Sequence, residues 1–250
     1  GEFLHEELIT DSKNVLTGEL KERAMYFALK FIPEKSRDEK QKILLDEIHR
    51  LHAFGITSVT DISWREDLDV YSSLYSKNLL RLRINSVVPF DEFEKIGEYK
   101  QEFSDYKGFI RFGGFKAFYD GSLSSRAALF YDTYKDSSYN GLRTEMVTSG
   151  QFREIGSLID KAGFQIVVHA IGDLAVSEVL DFVEYLGERN GSKNRRFRIE
   201  HAQHIADKDV DRFSKLGIIA SVQPAHIFFD AKVAVAKLAR PETTHVFKKL

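Results

Sequence analysis

The chain has 250 residues, 43% hydrophobic and 30% charged, with a formal net charge of −2. That length supports a sizeable core, and the near-neutral charge gives no field for nucleic acid or an anionic membrane. The absence of cysteine excludes disulfides, thiolate metal sites and cysteine nucleophiles. No stretch reads as a signal peptide, and no apolar run approaches the ~20 residues of a membrane span. The expected setting is therefore a reducing, cytoplasmic one.

Residues 1–35 carry no sustained periodicity and read as an irregular segment. Ser36-Arg37-Asp38-Glu39 is a capping box. It opens a helix with Ile43, Leu44, Ile48 and Leu51 near helical spacing, stopped at Gly55. A β-branched strand, Ile56 to Asp61, follows and ends on an aspartate. A helix over Leu68–Ser76 and a strand over Leu82–Val88 come next. Phe115–Tyr119 is a further strand, running into Asp120-Gly121-Ser122. Residues 121–145 hold three tyrosines but no clean period, and read as an irregular, lid-like segment.

Regularity then returns. Phe152, Ile155, Leu158 and Ile159 line a helix ended by Gly163. A strand runs to His169, and Asp173 stands where it can cap a helix carrying Val176, Val179, Leu180 and Val183. A strand to His201, a helix carrying Val210, Phe213 and Leu216, and a strand from Ile218 to Gln223 complete the series. Strand and helix alternating at this spacing mean βαβ units and a parallel sheet. About six strands are legible, where a complete (β/α)8 barrel has eight. The predicted fold is thus α/β, a TIM-type barrel that is incomplete, with the whole of 1–250 read as one domain.

Two of these strands end on histidine: Val167-Val168-His169-Ala170 and Ile199-Glu200-His201-Ala202. The carboxyl edge of a parallel sheet is where such folds place their chemistry, and neutral imidazole is the commonest metal ligand. A single histidine here could be a buried residue satisfied by a carbonyl, but the pair at equivalent strand ends points to a site. Glu200, next to His201, is expected to face away from it in a structural ion pair, by strand alternation. Lys116 lies in an aromatic strand, where a charged amine is expensive to bury. It is either neutral, paired or modified, or it snorkels to solvent. Asp120-Gly121-Ser122 is either a bare turn or part of a substrate loop with Arg126 as an anion clamp. His226, after the last strand, is either a substrate contact or an ordinary loop residue. No serine-nucleophile elbow, phosphate-cradling loop or dinucleotide fingerprint is present.

The segments Phe115 to Arg126, Val168 to Asp173, Arg198 to Gln203 and Ser221 to Pro224 closely resemble amidohydrolase family 3. That branch belongs to the metal-dependent amidohydrolase superfamily and includes N-substituted formamide deformylase-like proteins. Phe54 to Asp61 and Thr17 to Glu22 are similar to it as well. The resemblance implies a barrel with one or two divalent metal ions, typically zinc, at its carboxyl face, where a metal-bound hydroxide attacks an amide-type, non-peptide C–N bond of a small molecule. It makes Lys116, His169 and His201 the metal-binding and catalytic residues. Lys116 matches a lysine that can be carboxylated to bridge two metals. Arg126, His226 and Asp120 are then the substrate contacts.

Two family features are missing from the sequence: a His-x-His pair after the first strand, and an aspartate after the last. The chain is therefore expected to be an internal portion, about strands two to seven. It should bind metal weakly and hydrolyse nothing detectably by itself. Its two uncovered strand edges leave homo-oligomerisation open. The rival expectations are a non-catalytic binding or structural barrel, and a barrel hydrolase of lactone or phosphoester bonds.

Overall fold

The computed structural model describes residues 8–20, 22–103 and 108–245. The chain divides into two units, Gly1–Asp46 and Glu47–Leu250, where the sequence reads as one domain. In the first, β1 (Leu8–Thr10) and β2 (Leu16–Leu20) form an antiparallel hairpin, followed by α1 (Glu22–Leu29). The Asp11 carboxylate closes the hairpin turn, accepting from the backbone N–H of Lys13 at 2.8 Å and Val15 at 3.0 Å. This corrects the irregular segment expected over 1–35, of which residues 1–7 lie outside the described residues. The sequence hides the hairpin because every position of β2 is exposed, so no face of the strand needs an apolar alternation. The capping box is present at the start of α2 (Arg37–Ala53). Ser36 Oγ accepts from Glu39 N at 3.3 Å, and Ser36 N donates to Glu39 Oε2 at 2.8 Å.

The second unit is built on a six-stranded parallel sheet: β3 (Ser58–Ile62), β4 (Arg83–Pro89), β5 (Ile110–Phe118), β6 (Ile166–Ala170), β7 (Arg198–His201) and β8 (Ile219–Ser221). Its strands lie side by side in chain order, every neighbouring pair parallel. A doubly wound sheet reverses its order at a switch point; this one never does, as in the wall of a barrel. Each expected strand is present and ends within two residues of the position read from the sequence. β5 starts earlier than expected, at Ile110, and runs through Gly113 and Gly114. The β4–β5 register skips Gly113, and the next residue, Gly114, has φ of 125° and room for no side chain: a Cβ there would lie 2.2 Å from the Gln165 carbonyl oxygen.

Helices connect the strands: α3 (Arg65–Ser76), α4 (Ile96–Phe103) behind a 3-10 turn at Phe90–Lys95, α5 (Glu145–Thr148), α6 (Gln151–Lys161), α7 (Asp173–Asn190) and α8 (Val210–Leu216). Then α9 (Ile227–Lys237) follows β8. All five residues of β6 are buried, as expected of a strand covered on both faces. Helix α7 buries Val176, Val179, Leu180, Val183 and Leu186. Each such side chain contributes roughly 1.5–3 kcal/mol by leaving water. Asp173 is the first residue of α7 rather than its cap, which is Gly172; its Oδ1 accepts instead from Tyr131 N at 3.0 Å.

Residues 119–144 form no helix or strand, but they are not a loose lid. Leu123, Ala128, Phe130 and Tyr134 pack with Ile171 from the β6–α7 turn and with Ala234 and Leu238. The Tyr134 hydroxyl donates to the Ala128 carbonyl at 2.8 Å. The loop is a packed plug against the carboxyl ends of β5 and β6, held by the tyrosines that lacked a period in the sequence.

Candidate active site at the carboxyl ends of the strands

His169 is the fourth residue of β6, and its partners in register are Phe118 on β5 and Glu200 on β7. His201 closes β7 beside Ala170. Simple alternation would turn His201 to the opposite face from Glu200, and so away from His169. The backbone prevents this. His201 has φ of 73° and Ala202 φ of 42°, two successive non-glycine residues in the left-handed region, a costly conformation that clusters at functional sites. Rotation about the N–Cα bond of His201 carries its Cβ round, and the two imidazoles meet edge to face with centroids 4.7 Å apart. His226, in the 3-10 turn Pro224–His226, stacks near His201 at 6.0 Å.

Both imidazoles are held neutral. Burial pushes His169 down to about 3, with the charges of His201 and Lys116 acting in the same direction. Burial lowers His201 as well, and Lys116 adds to it, while the hydrogen bond to Gln223 opposes. The tautomers follow from the partners. Gln223 Nε2 donates to Ser221 O at 2.8 Å, which turns its Oε1 toward His201 Nδ1 at 2.7 Å. Nδ1 therefore carries the hydrogen and Nε2 keeps its lone pair. His169 Nε2 faces the Gly121 carbonyl at 3.3 Å, so it is the donor and Nδ1 keeps the lone pair.

Lys116 is only 4% exposed, which removes the snorkelling alternative. Its Nζ donates to the Ala117 carbonyl at 2.9 Å and lies 3.7 Å from the centre of the Phe118 ring. Burial pushes it down to about 7, against the pull of Glu200 and Asp120. A substantial fraction of this amine is uncharged and nucleophilic near neutral pH. Glu200 departs from expectation. Its carboxylate does pair with Arg198, but register puts it on the same sheet face as His169, and its charge is felt by Lys116.

Asp120 also differs from its expected role as a substrate contact. It is 1% exposed, and its oxygens are taken by backbone. Oδ1 accepts from Ile171 N at 3.0 Å; Oδ2 accepts from Leu129 N and Gly172 N, both at 2.9 Å. His169 Nε2 lies 3.4 Å from Oδ1. Burial raises its carboxyl to about 7, opposed by those N–H groups. Asp120 thus ties the plug and the β6–α7 turn to the imidazole. The Arg126 guanidinium lies 6.0 Å from the Tyr134 ring of the plug. Gln223 and Glu200 are the members that sequence reasoning undervalued. Both stand at strand ends, which was the available signal.

The donor set suits a divalent ion in part. Two neutral imidazoles with defined lone pairs, one oriented by a glutamine, are the usual nitrogen ligands with the usual support. Lys116 supplies an amine that is partly neutral. Among the described residues, however, no group of three or more His, Cys, Asp or Glu could hold a metal ion.

A parallel sheet with paired histidines and a buried lysine at its carboxyl edge defines a class, and comparison bears on which one. The Amidohydrolase family profile matches residues 5–248, and the chain belongs to that family. It is 36% identical over 234 residues to Protein LONG AFTER FAR-RED 3 of Arabidopsis thaliana, covering 89% of this chain and 40% of that protein. It is 28% identical over 255 residues to the putative amidohydrolase YtcJ of Bacillus subtilis strain 168, covering 97% of this chain and 46% of that one. Among solved structures it is similar to an uncharacterized metal-dependent hydrolase from Pyrococcus horikoshii OT3. The TM-score there is 0.79 at 25% identity, over 98% of this chain and 50% of that one. The chain spans less than half the length of these two curated relatives. No helix among the described residues is long and apolar enough to cross a membrane.

Proposed function

We propose that this chain carries part of the active site of a metal-dependent hydrolase acting on amide-type, non-peptide C–N bonds of small molecules, in the manner of N-substituted formamide deformylase-like proteins. The observation that carries the reading is the imidazole pair: His169 and His201 come from adjacent strand ends with ring centroids 4.7 Å apart, each held neutral by burial. His169 Nδ1 and His201 Nε2 would hold a divalent ion, with zinc the expected metal. Lys116 would join them as an amine or, once carboxylated, as an oxygen ligand to one or two ions. When bound, such an ion lowers the pKa of water to about 7 and polarises a scissile carbonyl.

The chain's own residues do the rest. Gln223 keeps the hydrogen on His201 Nδ1. Asp120 fixes the plug beside His169. Lys116, partly neutral near pH 7, can hold or release a proton at Nζ. His226, stacked 6.0 Å from His201, faces substrate at the mouth of the site. Catalytic zinc usually has three protein ligands. With two imidazoles and one amine, the isolated chain should bind zinc weakly and show no detectable turnover.

The test is zinc titration by calorimetry on the chain and on His169→Ala and His201→Ala, with a panel of N-formyl amines and lactones offered to the zinc-loaded chain. Weak binding abolished by either substitution is expected. Binding unchanged by both substitutions would refute the ligand assignment, and lactone turnover without amide turnover would refute the C–N reading.

A further inference from the structure

Helices α6 and α7 flank an open groove of about 800 Å³ in the second unit, with none of Lys116, His169, His201 or His226 in its lining. Arg153 and Lys161 of α6 and Arg189 of α7 line it, with Glu154 the single acid. Arginines close by are neutralised. Arg195 and Lys193 pair with Asp160, Arg143 with Glu178, and Arg212 with Asp181, Glu184 and Asp209. Among the described residues, Arg153, Lys161 and Arg189 have no carboxylate partner.

The groove is also pre-shaped. The Arg153 guanidinium lies 3.7 Å from the centre of the Tyr185 ring, and its proximity lowers the phenol below its usual range. Arg189 lies 6.0 Å from the same ring. Stacking on an aromatic face restricts a guanidinium that would otherwise sample many rotamers, so less entropy is lost when it meets an anion. Leu158, 46% exposed, sits among these charges.

We propose that this groove docks an acidic polypeptide segment, with carboxylates on the three cations and an apolar side chain on Leu158. The groove is open rather than enclosing, which disfavours a small anion, since pockets for small ligands bury most of the ligand's surface. Exposed leucine between cations fits an acidic peptide carrying apolar residues.

The probe is a fluorescein-labelled peptide of alternating glutamate and leucine, titrated by anisotropy into the whole chain at low and moderate salt. Binding is expected to weaken with salt, and to fall at least about tenfold in Arg153→Glu/Arg189→Glu, a loss of about 1.4 kcal/mol. The control reversal Arg81→Glu/Lys215→Glu, at exposed positions elsewhere, should leave it unchanged. Urea unfolding of each variant checks the fold. Equal losses in the two double variants would overturn the proposal by making the binding nonspecific. Leu158→Ser should weaken binding further, and no effect there would remove the apolar half of the assignment. Full displacement of the peptide by equimolar ATP, or binding to anionic vesicles that the same reversal abolishes, would overturn it in favour of a phosphate or membrane surface.

Discussion

Removing the Asp120 carboxylate should loosen the whole candidate site, and the size of the effect follows from its contacts. Asp120→Ala leaves three buried backbone N–H groups, on Leu129, Ile171 and Gly172, without the acceptors they now reach at 2.9–3.0 Å. An unsatisfied buried donor costs about 1–3 kcal/mol. The three share one carboxylate and will relax together, so the expected loss is about 3–6 kcal/mol rather than the full sum. Asp120→Asn should be milder. Its amide oxygen can replace Oδ2 and keep Leu129 and Gly172, while its NH2 opposes only Ile171 N–H, a loss of about 1–3 kcal/mol. Urea unfolding gives both values. For a chain of this size each kcal/mol lowers Tm by about 2–4 °C, so a thermal melt should rank wild type, Asn and Ala in that order. If Asp120→Ala unfolds within 1 kcal/mol of wild type, the carboxylate is not organising the plug, and its place beside His169 needs another explanation.

Gly172→Ala should destabilise by about 3 kcal/mol or more, because a Cβ there would meet the Leu129 carbonyl oxygen at 2.0 Å; soluble yield and a melt of the variant decide it. Asp160, 2% exposed, accepts from Arg195 Nε and Asn190 Nδ2, both at 2.9 Å. Asp160→Ala should cost about 3–5 kcal/mol by leaving the Arg195 charge buried. Asp46→Ala, which removes the exposed Lys42 pair, should cost less than about 1 kcal/mol, and denaturant unfolding of the two side by side tests the contrast. Burial lowers His204 to about 4, opposed by its Ile171 contact. The fold therefore favours the neutral ring, and this contribution is full above pH ~6.5 and lost as pH falls toward 4. The loss is about 3 kcal/mol. His169 acts in the same sense, so the measurement is the difference in acid slope between wild type and His204→Gln. Equal slopes would mean that His204 does not titrate in this window.

Much of the second unit was legible because its signals are local. β-branched runs, glycine stops and helical apolar stripes belong to short windows, and burial of both sheet faces forces those patterns into the sequence. His169, His201 and Lys116 could be singled out for the same reason: a polar group at the end of an apolar strand is conspicuous without knowledge of the fold. The hairpin β1–β2 escaped because an exposed strand need not alternate. The tyrosine-rich plug escaped because its order comes from contacts with Ile171, Ala234 and Leu238, far along the chain.

What only the tertiary structure decided concerns direction and partnership. Strand alternation by itself sends His201 away from His169; two left-handed residues, His201 and Ala202, reverse it, and no local pattern announces that strain. Asp120 looked like a loop acid open to substrate, yet its oxygens are taken by N–H groups up to 52 positions away. Lys116 could be weighed as snorkelling or buried until the packing around Phe118 placed it. Sequence fixes which side chains arrive at a strand end. Which way they turn, and whether they charge there, depends on desolvation and on neighbours brought in by the fold.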